Sequence, residues 1–123
     1  MQDLGESAKR SVLVVDPNRF VARTTAQALQ AQGFAAEAAM TATSALRLIT
    51  AQAFDAAIID VDLNGRVSGV ELLRAMRELR PGLSAVLTTA GSKDVEIPPS
   101  VVVMRKPCRI NELVATIFRE DAA

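Results

Sequence analysis

The chain alternates short apolar runs with longer stretches in which apolar residues recur every three or four positions. Ser11 to Val15 and Ala56 to Ile59 are unbroken apolar runs, each followed by an acid, Asp16 and Asp60. A continuous apolar run reads as a strand buried on both faces, as in parallel sheets. The weaker run Phe34–Ala39 alternates and reads as an outer strand. Leu83–Thr89 and Val101–Met104 complete a set of five predicted strands. Between them the period changes to that of helices. After Pro17 a helix extends to Gln32, with Phe20, Val21, Thr24, Ala28 and Leu29 as its inward stripe, Asp16 as N-cap and Gly33 as C-cap. A second helix covers Thr41–Gln52. A third begins at Gly69, carries Val70, Leu72, Leu73, Met76 and Leu79, and stops at Pro81-Gly82. A last helix is capped by Asn111 and carries Leu113, Val114, Ile117 and Phe118. The segment 91–100 is polar and holds Pro98 and Pro99, so at most one turn is expected around Ser92 to Glu96. Strands alternating with helices imply an α/β fold whose parallel sheet is covered on both faces through right-handed crossovers.

Length changes this picture little: 123 residues suit one domain with a core of its own. Residues 1–10 are polar and aperiodic and read as a flexible leader before a domain at 11–121. Charge narrows the partners. With 14 basic and 14 acidic residues the net charge is zero, which gives no support to direct nucleic-acid binding. There is no histidine, so His-based acid–base chemistry and His metal ligands are excluded, and the single Cys108 forms no intramolecular disulfide. No apolar run approaches the ~18 residues of a membrane span, and the start lacks a signal-peptide pattern. A cytoplasmic domain is expected.

In a parallel sheet the strand C-termini share one edge, where open α/β folds present their chemistry. That edge receives Asp16, Asp60 and Asp62, Thr89 and Lys106. Carboxylates suit a hard cation that keeps several waters. A carboxylate can also act as a nucleophile and carry phosphate as an acyl phosphate. A lysine and a hydroxyl can then hold the phosphoryl oxygens. Each residue has an ordinary alternative: a helix cap for Asp16, a solvated loop acid for Asp62, a strand terminus for Thr89, a surface lysine for Lys106. Cys108 reads as a small packed hydrophobe, and Arg19, Arg66 and Arg105 as solvated charges.

Val-Leu-Val-Val-Asp at 12–16, Asp60 after Ala-Ala-Ile-Ile, Thr89-Ala90 and Lys106-Pro107 together resemble the receiver domains of two-component response regulators. The resemblance spans residues 11–120. It implies a flavodoxin-like, doubly wound sheet of order 2-1-3-4-5 in three α-β-α layers, an order for which a chemotaxis receiver is a standard example. It implies that Asp60 accepts a phosphoryl group from a histidine kinase or histidine phosphotransfer protein. Thr89 and Lys106 would contact that group, and Asp16, Asp60 and Asp62 would hold Mg2+. Lys106-Pro107 would be cis, and signalling would proceed by docking to a downstream protein, alone or within a larger assembly. No enzyme activity beyond self-phosphorylation and self-dephosphorylation is implied.

Three departures from the family pattern stand out. Pro17 occupies the position of a second acid, which weakens the expected Mg2+ site. Val103 stands where an aromatic switch residue is common and would pair with Thr89. The fourth helix is short or degenerate. These departures favour, as the main alternative, a pseudo-receiver that binds partners without phosphate. A remoter one is a haloacid-dehalogenase-like phosphatase, since Asp60-Val61-Asp62 resembles its Asp-x-Asp. That motif normally lies on the first strand, however, and a further acidic motif normally follows the lysine. A dinucleotide site is a weaker alternative still, since Asp-Pro-Asn-Arg after the first strand holds no glycine to let a pyrophosphate approach.

Overall fold

The computed structural model describes residues 9–91 and 96–118. Its elements are β1 (Ser11–Val15), α1 (Arg19–Ala31), β2 (Ala35–Ala39), α2 (Ala42–Ala51), β3 (Ala56–Asp60), α3 (Gly69–Leu79), β4 (Ser84–Thr89), β5 (Val102–Arg105) and α4 (Ile110–Ile117). The five strands form one parallel sheet in the order β2-β1-β3-β4-β5. Among the described residues no helix is long and apolar enough to cross a membrane.

Strand alternation divides the core into two layers. Leu13, Val15, Ala57, Ile59 and Leu87 face α2 and α3, where Ala45, Ile49, Leu72 and Met76 meet them. Val12, Val14, Ala56, Ile58 and Val86 face α1 and α4, against Ala26, Leu29, Leu113 and Ile117. All five residues of β3 are buried, which is why that strand reads as an unbroken apolar run ending on an acid. The sheet and its order agree with the expectation from the resemblance, and so does the cis Lys106-Pro107 bond.

The helix ends follow local chemistry, with two corrections. Asn18, not Asp16, caps α1: its side chain accepts from the Val21 amide at 3.1 Å. Asp16 accepts instead from the Asn18 amide, one step before the cap. The last helix starts one residue before Asn111; Arg109 is its N-cap and makes no side-chain cap bond. Gly33 ends α1 as expected, at φ +98°, with its amide and that of Phe34 closing on Gln30 and Leu29. The inward stripe of α1 also shifts. Ala22, Ala26 and Leu29 are buried, whereas Thr24 is exposed and Phe20 is 75% exposed. Nine residues are about two and a half helical turns, so Phe20 and Leu29 lie on opposite sides of α1 and cannot share the inward face. Leu79, expected inside, is exposed at the end of α3.

α3 opens with a capping box: Ser68 accepts from the Glu71 amide at 3.1 Å, and Glu71 accepts from the Ser68 amide at 2.9 Å. Ser68→Ala is expected to lower stability by about 1 kcal/mol in urea denaturation. An unchanged midpoint would show that Glu71 alone holds the helix start.

Between β4 and β5, Gly91 and residues 96–101 form no helix. The single turn expected around Ser92 falls mainly on 92–95, outside the described residues, as does most of the expected leader.

Candidate functional site

Three strand-end side chains on the C-terminal edge, and Asp62 in the loop after β3, repeat one local device. Each accepts the amide two residues further on: Asp16 from Asn18 at 2.9 Å, Asp60 from Asp62 at 2.9 Å, Asp62 from Asn64 at 3.0 Å and Thr89 from Gly91 at 2.9 Å. Such side-chain turns replace the ladder bonds lost where a strand ends. They also fix each side chain's aim. Asp16 and Asp60 use Oδ1 for the turn, and both Oδ2 atoms meet at Lys106 Nζ, each at 2.6 Å.

The two carboxylates are nearly inaccessible, Asp16 at 4% and Asp60 at 8%. Buried carboxylates need a cation or several donors, and Lys106 supplies the cation to both. Burial is the largest influence on the lysine pKa and lowers it. The bonds and charges of Asp16 and Asp60 outweigh that influence and raise the pKa above its ordinary 10.5.

Above this tie lies a cleft of roughly 310 Å³ lined by Asp16, Pro17, Asp60, Asp62, Thr89 and Lys106, with Asn18, Asn64 and Ala90 at its rim. All five residues that the sequence placed on this edge therefore border one space. Thr89 reaches it, whereas Thr88 is buried and lines the opposite side with Val14 and Ile58. Strand alternation separates the two threonines. Asn18 and Asn64 join the rim without having been singled out as site residues. The Asp-Pro-Asn run could have revealed Asn18 as a cap. Asn64 adopts φ 60°, a conformation asparagine tolerates better than most residues.

Val103 is half-buried and packs with Ile97 and Val101 against the α2–α3 layer, away from the cleft lining.

The model of the response regulator receiver domain matches residues 12–118. This chain belongs to that family.

The alginate biosynthesis transcriptional regulatory protein AlgB of Pseudomonas aeruginosa is 30% identical over 107 residues, 83% of this receiver. The receiver spans only 24% of that protein's length. Among solved structures, a CheY-like receiver domain from Methanospirillum hungatei is similar with TM-score 0.79 and 26% identity, over 92% of this chain and 94% of that one. A response regulator from Burkholderia pseudomallei, solved with a phosphorylated aspartic acid, calcium ion and citrate, has TM-score 0.79 and 24% identity, over 93% of this chain and 69% of that one.

Receivers commonly hold a divalent cation, and the donor set here fits one in part. Asp16 and Asp60 present hard oxygens to a single point, but Lys106 already stands there. Asp62 Oδ1 is engaged by its own loop, and Pro17 offers no carboxylate. Among the described residues no group of three or more acidic, Cys or His side chains is arranged to hold a metal ion. Two carboxylates with retained water suffice for Mg2+, at reduced affinity.

Proposed function

We propose that the domain is a phosphoacceptor that takes a phosphoryl group on Asp60 from a histidine kinase or a histidine phosphotransfer protein and signals by docking. The observation that carries this reading is the convergence of Asp16, Asp60 and Lys106 under a cleft that Thr89 also lines. Oδ1 is held by the Asp62 amide and Oδ2 by Lys106; we assign the attack to Oδ2, because the ammonium beside it can receive the incoming phosphoryl oxygens. Oδ2 forms the bond to phosphorus as the donor's N–P bond breaks, and the imidazole leaves with the electron pair. Phosphorylation removes the carboxylate charge that Asp60 shares with Lys106, and the ammonium turns to the phosphoryl oxygens. Thr89 Oγ1 already accepts from Gly91, so its proton can be given to the same oxygens. A Mg2+ held by Asp16, Asp60 and the Asp62 main chain or side chain would neutralise the developing charge. Self-phosphorylation and self-dephosphorylation are the only reactions we assign, in the cytoplasm and without direct nucleic-acid contact.

Thr89 and Val103 occupy the switch positions. Valine has no ring to follow the hydroxyl, so the response would be carried by Thr89 and its loop.

With acetyl phosphate and Mg2+, the protein is expected to gain the mass of one phosphoryl group, and Asp60→Asn is expected to gain none. A wild-type protein that stays unmodified with every donor, and whose partner binding survives Asp60→Asn, would support a pseudo-receiver instead. Pro17 at the cleft favours that second reading.

A further inference from the structure

Lys106 and Asp16 have a second side. Between α1 and α4, over the sheet face formed by Val14 and Ile58, lies a cavity of about 390 Å³. Its other walls include Val21 and Thr25 from α1 and Cys108 and Leu113 from the β5–α4 side. None of the four phenylalanines fills it. Phe34 and Phe118 stack on each other with centroids 5.4 Å apart, Phe54 is buried in the opposite layer, and Phe20 is exposed. Outside the pocket lining, Gln32 just after α1 donates from Nε2 to Asn111 Oδ1 of α4 at 3.1 Å.

We propose that this cavity binds a compact apolar amine: an aromatic or branched aliphatic body of about ten heavy atoms with a protonated head. The size and lining suit such a body, being apolar over most of the wall with a few polar side chains, among them Asp16 and Lys106. The pocket is half open, so an apolar body entering from solvent removes apolar wall from water. The charges decide the head. Asp16 and Lys106 line the cavity, and Asp60 stands directly behind Lys106, giving two carboxylates to one ammonium. An anionic head is repelled there, whereas a cationic head can share Asp16. Cys108 adds no competing charge: burial and the nearby Glu112 raise its thiol pKa, and Sγ donates to the Arg105 carbonyl at 3.3 Å. The site does not require Asp60 to accept phosphate.

Titration of the full chain with tryptamine, indole and indole-3-acetate, followed by amide chemical shifts, tests the proposal. Saturable changes at Val14, Val21, Thr25 and Leu113 are expected, tightest for tryptamine and weakest for the acetate. Cys108→Phe places a ring in the cavity and is expected to abolish them. If that variant does not fold, Thr25→Leu narrows the cavity from the other wall and is expected to weaken binding about tenfold, or about 1.4 kcal/mol. The proposal is overturned by no saturable change up to about 1 mM tryptamine, by changes that survive the cavity-filling variant, or by tightest binding of the acetate.

Discussion

Replacing Lys106 with methionine is expected to lower stability by about 2–3 kcal/mol near neutral pH, with a matching loss of phosphoryl acceptance on Asp60. Methionine keeps the length and apolar stem of lysine and removes only the charge. Asp16 and Asp60 then face each other, almost wholly buried, with no cation between them. Breaking a fully buried pair costs about 3–5 kcal/mol. The Lys106 side chain is 26% accessible, so water screens part of the penalty and the lower figure applies. The pH dependence has a definite sign. Burial lowers the lysine pKa, but the two aspartates raise it further, so the folded value lies above 10.5. A raised lysine pKa gives stabilisation that is complete below the unfolded value and lost as pH rises through the folded one. The gap between wild type and Lys106→Met should therefore stay constant from neutral pH to about 10 and narrow above it. Urea denaturation across that range measures the gap. Equal midpoints near neutrality would show that the ammonium contributes nothing to the fold.

Gly69→Ala is expected to be as damaging, for a steric reason. Gly69 opens α3 and donates its amide to the Val61 carbonyl at 2.8 Å. A Cβ there would lie 2.2 Å from the Asp60 carbonyl oxygen, 2.9 Å from its carbon and 3.0 Å from Val61 Cα. All three are backbone atoms of the strand end that carries Asp60, so no side chain can swing aside. Either α3 lifts or the Asp60 peptide shifts. A loss of about 3 kcal/mol is expected, at the upper end for overpacking, and acetyl phosphate should label the folded fraction more slowly. Gly82→Ala is the control, because nothing lies within 4 Å of a Cβ at that position. Similar midpoints for the two variants would refute the close approach.

The sheet was legible because burial on both faces writes each central strand as an apolar run, and each run ends on a polar residue. That pattern also located Asp16, Asp60, Thr89 and Lys106, which depend only on where strands stop. The helix faces were less legible. Apolar residues on α1 fall on more than one face, and only packing shows that the face of Ala22, Ala26 and Leu29 turns inward while Phe20 faces solvent. The aim of each carboxylate was hidden as well, since the bonds from Asp62 and Asn64 amides depend on loop geometry. The cavity beside α1 could not be foreseen: a missing side chain leaves no mark until two helices from distant parts of the chain are set facing each other.

The lysine tie also bears on the order in which the chain folds. Lys106 lies 90 residues from Asp16 and 46 from Asp60. It reaches both only after β5 has joined β4 at the far edge of the sheet. A contact spanning so much chain carries a large loop-closure entropy and forms late. Its energy should thus appear in the barrier to unfolding rather than in the speed of folding. The same ammonium that ties Asp16 to Asp60 would act as a latch, setting how long the assembled domain persists once formed.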